Sequence, residues 1–106
     1  MTHGQLCLAA YLTFTSTISK APETPSCYRP MAWLDLDQVT RAAFVGAVLT
    51  VQRCRTASPK REAYKTYREV LSALPGKNPS WEDLIPALKR AWGAFTDFVI
   101  KEGQLN

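Results

Sequence analysis

Histidine and cysteine, the residues that most often bind zinc or act as nucleophiles, are scarce in this chain. Its 106 residues include one histidine, His3, and three cysteines, Cys7, Cys27 and Cys54. No two cysteines have the Cys-x-x-Cys spacing of a zinc site, and three widely spaced cysteines do not make a disulfide framework. The sequence therefore predicts no metal site, no cofactor and a reducing, cytoplasmic setting.

Long apolar runs and recognisable catalytic motifs are also missing. No segment approaches the roughly 20 apolar residues that a membrane-spanning helix needs. The apolar stretch at residues 6–12 follows no Lys or Arg and precedes no clear cleavage site, which disfavours a signal peptide. The carboxylate pair Asp35 and Asp37 and the pair Glu82 and Asp83 lie at predicted helix starts, where capping accounts for them. We therefore predict no membrane contact, no small-molecule substrate and no enzymatic activity, with an unrecognised active site as a minor alternative.

The overall composition is that of an ordinary globular protein. Apolar residues make up 46 % of the chain and charged residues 21 %, which argues against a disordered chain that cannot bury enough surface. The length suits one domain and is too short for two ordinary ones. We find no internal repeat and no low-complexity segment, so the sequence is interpreted as one single domain.

Capping signals and apolar periodicity predict an all-α fold, a small bundle of three to four helices. Thr2 and Gln5 have capping-box spacing ahead of a helix at residues 3–19. The β-branched stretch at residues 11–18 leaves a short strand as the alternative. Three further helices are expected at residues 36–55, 58–74 and 80–102.

The boundaries of these three helices follow from individual residues. Asp35 and Ser80 are each followed three residues later by a capping partner, so both are expected to be N-caps. Pro59 suits a first helical position. Pro86 would lie early in the last helix and bend or restart its first turn. That helix is expected to end at Gly103.

Prolines separate the first predicted helix from the rest of the chain. Pro22, Pro25 and Pro30 each remove a backbone donor and restrict the residue before them. We interpret residues 1–30 as an N-terminal helix or accessory arm followed by a Pro-rich linker. Residues 31–106 are then a three-helix core within the single domain.

The net charge of +4 is concentrated in one stretch of the chain, residues 51–70. This stretch holds two carboxylates, Glu62 and Glu69, against six cations. The six are Arg53, Arg55, Lys60, Arg61, Lys65 and Arg68. The last three have helical spacings of four and three, so they form a ridge suited to nucleic-acid phosphates. The alternative is a solvated face, with ion pairs along the helix and cations favoured at a helix C-terminus.

A second functional signal is the predicted helix at residues 39–51, where apolar side chains cover nearly the whole circumference. Such a helix is buried on most sides. Either it is the central helix of the bundle, or part of it contacts another chain. We name Phe44 and Val48 as candidate partner-interface residues, together with Trp33 beside the prolines.

These signals predict a non-catalytic binding protein. The leading hypothesis is a small basic helical subunit or regulator of a nucleoprotein assembly that contacts nucleic acid through residues 53–68. The alternative is a protein–protein interaction module, such as an adaptor, inhibitor or oligomer subunit, that uses residues 39–51 and exposed aromatic side chains. A protein partner or a homo-oligomer is expected under both hypotheses.

Overall fold

The structure is a computed structural model that describes residues 2–24, 26–27, 29–53, 58–71 and 79–103. These residues form four α-helices and two short 3-10 helices, with no strand among them. The α-helices are α1 (His3–Lys20), α2 (Gln38–Arg53), α3 (Pro59–Leu71) and α4 (Pro86–Glu102). The 3-10 helices are η1 (Trp33–Asp35) and η2 (Trp81–Asp83). The predicted all-α bundle is confirmed.

Helix α1 begins with the capping box that the sequence predicts. The Gln5 backbone N–H donates to Thr2 Oγ1 at 3.1 Å, and the Thr2 backbone N–H donates to Gln5 Oε1 at 2.8 Å. The stretch in which a strand was the alternative is helical. Its hydroxyls donate to carbonyls four residues back, at 2.9 Å for both Thr13 and Thr17 and 3.0 Å for Ser19. These bonds give the side-chain donors partners within the helix.

Helices α2 and α4 begin later than the capping-box spacings predict. Asp37, rather than Asp35, caps α2, because its Oδ1 accepts from the Thr40 backbone N–H at 2.7 Å. Asp35 lies in η1. Helix α4 begins at Pro86, where the missing proline N–H leaves no helical bond unmade. The expectation that Ser80 starts this helix is therefore wrong. Of the two effects expected of Pro86, a bend or a restart of the helix, the structure has a helix start at Pro86.

The predicted helix ends are confirmed in one case. The Gly103 backbone N–H donates to Val99 O at 2.7 Å, and α4 ends there. The predicted ends at residues 55 and 74 lie outside the described residues.

All four α-helices contribute to one aromatic-rich core. Trp92 and Phe95 of α4 are 1 % and 0 % exposed, and their ring centroids lie 5.1 Å apart. Helix α1 buries five side chains in the same cluster. They are Leu6, Cys7, Ala10, Tyr11 and Phe14. The first helix is thus an integral part of the core, and the interpretation of residues 1–30 as an accessory arm beside a three-helix core is corrected.

Much of the apolar circumference of α2 is buried within this chain. Helix α2 lies along α3, as α1 lies along α4. A Cβ on Gly46 would stand 3.3 Å from Thr66 Cγ2, and the hydroxyls of Thr50 and Thr66 lie 2.7 Å apart, so the two helices approach closely. Phe44 and Val48 are 3 % and 0 % exposed. Because both are buried in the chain's own core, the prediction that they contact a partner is corrected.

The chain folds as two similar halves, α1–η1–α2 and α3–η2–α4. Each α-helix pair is joined through a 3-10 turn of nearly the same sequence, Trp-Leu-Asp-Leu at residues 33–36 and Trp-Glu-Asp-Leu at residues 81–84. The third residue of each turn donates its N–H to the carbonyl before the tryptophan, at 2.9 Å from Asp35 and 3.0 Å from Asp83. The two turns are therefore built by the same hydrogen bonds.

A tyrosine ties each 3-10 turn to the helix before it. The Tyr11 hydroxyl donates to Met31 O and the Tyr64 hydroxyl donates to Pro79 O, both at 2.5 Å. Each acceptor lies two residues before the tryptophan of its turn. The tyrosine and tryptophan ring centroids lie 5.3 Å apart in the first half and 6.1 Å apart in the second. The same local structure is thus formed twice.

The sequence around the two tyrosines is also repeated. Residues 10–14 read Ala-Tyr-Leu-Thr-Phe and residues 63–67 read Ala-Tyr-Lys-Thr-Tyr. Equivalent positions differ by 53 in α1 and α3 but by 48 from the 3-10 turns onward. The two most extensive helix–helix contacts are those of α1 with α4 and of α2 with α3. Exchanging the two halves converts one of these pairs into the other. The expectation of no internal repeat is therefore wrong.

Candidate binding groove on helix α3

Three of the six cations in the basic segment line one groove of about 440 Å³ between α3 and η2. They are Arg61, Lys65 and Arg68, and all three side chains are exposed. We call this surface the α3 groove. Its lining residues are Ser58, Arg61, Glu62, Tyr64, Lys65, Arg68, Ser80, Trp81 and Glu82. The predicted cationic ridge is therefore present on the described part of the chain.

The packing of α3 places these cations in solvent. Ala63, Tyr64 and Leu71 are 0 %, 3 % and 7 % exposed and pack α3 against the core. The Tyr64 hydroxyl donates to Pro79 O, which holds the start of η2 beside α3. Burial raises the pKa of this hydroxyl, and the charge of Arg68 partly offsets the rise. The tyrosine therefore remains a donor at neutral pH.

The charge of the groove is mixed, with three cations against two carboxylates. Arg61 forms a salt bridge with Glu82, and their side chains are 50 % and 64 % exposed. An ion pair exposed to this extent stabilises a fold by roughly 0–1 kcal/mol. An anionic ligand can therefore replace the Glu82 carboxylate at little cost in free energy.

The two other predicted cations that the structure describes do not line the groove. Arg53 is exposed at the C-terminal end of α2. Lys60 lies toward α4, where its Cδ is 3.9 Å from the position that a Cβ on Gly93 would take. Arg55 lies outside the described residues. Among the described cations of residues 53–68, the groove thus brings together the three on α3.

Trp81 lines the groove and is not among the site residues predicted from the sequence. Its ring is half-buried and stands 6.1 Å from the Tyr64 ring between centroids. The signal that could have identified Trp81 is the turn sequence that it shares with Trp33, a predicted partner-interface residue. Trp33 is itself half-buried, with its ring 6.3 Å from that of Phe44, so it packs on the core as well as reaching the surface.

The equivalent surface of the first half has different chemistry. Leu8 and Leu12 stand where α3 has Arg61 and Lys65, and Leu34 stands where η2 has Glu82. These three leucines are 38 %, 53 % and 82 % exposed. The repeat therefore presents a charged surface on one half and an apolar surface on the other.

Metal, membrane and cysteine chemistry can be examined only in the described residues. They contain no group of three His, Cys, Asp or Glu side chains placed to hold a metal ion. Within the same residues, no helix has the length and apolar character to cross a membrane. Cys7 Sγ lies 3.7 Å from His3 Nδ1, but burial raises the pKa of the Cys7 thiol. A nucleophilic cysteine requires a lowered pKa. Cys54 lies outside the described residues.

No protein-family model, curated protein or solved structure matches this chain. The function of the groove is therefore argued from its own residues.

Proposed function

We propose that this chain is a non-catalytic binding protein that contacts nucleic acid through the α3 groove, as a subunit or regulator of a nucleoprotein assembly. The observation that carries this proposal is the position of Arg61, Lys65 and Arg68 on one exposed side of one helix, within a single groove. Phosphate contacts by Lys and Arg release counterions and supply most of the sequence-independent affinity for nucleic acid.

The spacing of the three cations suits a chain of phosphates. Positions 61 and 68 are seven residues apart, which corresponds to about 10 Å along an α-helix. One strand of a nucleic acid carries a phosphate roughly every 3.4 Å of helix axis. The ridge is therefore long enough to contact two or three successive phosphates.

Binding of labelled 20-nucleotide DNA, followed by fluorescence anisotropy at 50 and 200 mM salt, tests the proposal. Three phosphate contacts predict that affinity falls roughly 20- to 40-fold over this range. The variant R61Q/K65Q/R68Q should lose most of the binding at 50 mM salt. The matched control K20Q/R29Q/K101Q removes the same number of charges outside the groove and should bind nearly as well as the unmodified chain. Absence of binding at 50 mM salt, or equal losses in both variants, contradicts the proposal.

A second candidate function, protein–protein interaction, is supported by the apolar surface of the first half. Leu12, Met31 and Leu34 of this half are 53 %, 56 % and 82 % exposed. The proposed partner is a second copy of the chain, because a two-fold contact buries the same surface of both copies. Light scattering would then give a dimer for the unmodified chain and a monomer for L12K/L34E, which carries the residues of the other half. A monomeric unmodified chain contradicts this function.

A further inference from the structure

We infer that the α3 groove takes single-stranded nucleic acid, with one base against the indole of Trp81 and the adjoining phosphates on Lys65 and Arg68. This inference rests on the proposed function and specifies its ligand. It is carried by the aromatic wall of the groove, by the position of η2 beside α3, and by the contrast between the two halves.

The groove joins an aromatic surface to a cationic one. Trp81 and Tyr64 line it together with the three cations. Tyr64 is only 3 % exposed whereas Trp81 is partly exposed, so the tryptophan is the ring available to a ligand. Bases stack on such rings whatever their sequence, and a cationic groove beside the ring follows the backbone. This combination of side chains is typical of single-strand binding.

The Trp81 ring is held in a defined place. The Asp83 N–H donates to Ser80 O at 3.0 Å and the Leu84 N–H donates to Trp81 O at 3.2 Å, which closes the η2 turn around it. The ring packs beside Tyr64 and remains partly exposed. A stacking platform that is already fixed loses little conformational entropy when a base binds.

The position of η2 disfavours a DNA duplex. A recognition helix enters the major groove as a protruding element, because that groove is only about 12 Å wide. Here the cationic side of α3 is flanked by η2, which is joined to it by the Arg61–Glu82 salt bridge and by the Tyr64 hydroxyl. Helix α2 lies along α3 on another side. The cations therefore line a concave surface, and its volume of about 440 Å³ is that of a small-ligand pocket.

The first half of the chain has a similar turn whose tryptophan, Trp33, can be compared with Trp81. Trp33 occupies the same kind of turn and packs beside an equivalent tyrosine, Tyr11. Its neighbours at the positions of Arg61 and Lys65 are Leu8 and Leu12. A base stacked on Trp33 would therefore have no cations at these positions for its phosphates. We expect single-strand binding at Trp81 and none at Trp33.

The first experiment compares a labelled 12-nucleotide thymidine strand with a duplex of the same length, using the full chain at 50 mM salt. We expect the single strand to bind at least tenfold more tightly. The variant W81L should lose roughly tenfold in single-strand affinity, as expected for one lost stacking contact. W33L removes the equivalent ring of the other half and should leave the affinity unchanged.

A photocrosslinking experiment avoids any effect of a substitution on folding. The unmodified chain is irradiated with a single strand that carries 5-iodouracil, and the crosslinked peptide is identified by mass spectrometry. We expect the crosslink at Trp81. A crosslink only at Trp33, or only at residues outside the α3 groove, overturns the inference.

The outcomes separate the inference from the proposed function. If neither the strand nor the duplex binds, the proposed function fails and the inference fails with it. If the duplex binds as tightly as the single strand, or if W81L and W33L have equal effects, the inference is overturned. In both of those cases, binding through the cations of α3 still stands.

Discussion

Equivalent core positions of the two halves that carry different residues show how a single side chain affects stability. Thr96 of α4 is 2 % exposed, and its hydroxyl has no hydrogen-bond partner among the described residues. The equivalent residue of α2 is Val48, which is 0 % exposed. The same core position is thus filled by a hydroxyl in one half and by a methyl group in the other.

Thr96→Val should stabilise the protein. The substitution replaces a buried hydroxyl without a partner by a group of similar shape, which should raise the free energy of unfolding by about 1 kcal/mol. The reverse change, Val48→Thr, buries a new hydroxyl and should lower it by about 1–3 kcal/mol. Urea denaturation measures both. A destabilised Thr96→Val protein would show that the hydroxyl is satisfied in solution.

Tyr67 should make the fold sensitive to alkaline pH. Burial raises its pKa to about 12, with smaller contributions from Tyr64, Tyr11 and Asp37. The unfolded chain ionises near pH 10, so the stabilisation is complete below pH 10 and is lost as the pH rises toward 12. Tyr67→Phe introduces the residue found at the equivalent position of the first half, Phe14. Between pH 9 and 11, the free energy of unfolding of this variant should fall by about 1 kcal/mol less than that of the unmodified chain. Equal losses in urea denaturation would contradict this assignment.

At the scale of elements, short-range caps set where each helix begins. The Thr40 hydroxyl and backbone N–H lower the pKa of the Asp37 carboxyl by hydrogen bonding, with a smaller contribution from Arg41. Asp37 thus caps α2 as a carboxylate. Its contribution to stability is present above the unfolded pKa near 4 and is lost as the pH falls through the lower folded pKa.

Asp37→Ala should lower the melting temperature by a few degrees at pH 6, because the cap is lost. Asp37→Asn keeps a side-chain acceptor and should retain most of the stability. The difference between Asp37→Ala and the unmodified chain should shrink at pH 2, where the carboxyl is protonated. Thermal unfolding followed by circular dichroism checks these outcomes, and equal melting temperatures at pH 6 would contradict the assigned cap.

At the scale of the whole molecule, the first helix is part of the common core. Tyr11 and Phe14 of α1 contact the ring of Phe44 on α2, with centroids 5.0 and 5.5 Å away. Phe14 also contacts Trp92 on α4, at 4.9 Å. Removing α1 therefore exposes aromatic surface on both α2 and α4.

A chain that starts at Met31 should fail to fold cooperatively. It lacks five buried side chains of α1, each of which contributes apolar burial that the remaining helices cannot replace. We expect no near-ultraviolet circular dichroism signal and no sharp thermal transition. A cooperative transition in this shorter chain would support the original interpretation of residues 1–30 as an accessory arm.

The repeat also predicts that a second groove can be made. Leu8→Arg with Leu12→Lys places two of the three groove cations, those of Arg61 and Lys65, at the equivalent positions of α1. If the proposed function holds, this variant should bind two thymidine strands where the unmodified chain binds one, as measured by isothermal titration calorimetry. An unchanged stoichiometry, with the fold intact, would show that two cations beside a tryptophan are not sufficient.

Much of the fold and part of the site could be predicted from sequence, because helix signals are local. The spacing of Arg61, Lys65 and Arg68 is enough to place them on one side of any helix that contains them. The capping box of α1 is equally local. By contrast, the repeat was missed because its two offsets differ, the tyrosine lying 20 residues before its acceptor in the first half and 15 in the second.

Local sequence patterns were sufficient to predict that the chain is helical, where its cations accumulate, and which three of them share a helix face. Which distant segment packs against each helix became known only from the three-dimensional structure. Helix α2 packs along α3, and its side chains Phe44 and Val48 are buried in the core. Trp81 joins the cations of α3 because the Tyr64 hydroxyl holds η2 beside that helix. Periodicity depends on neighbours along the chain, whereas a groove depends on which distant segments pack together.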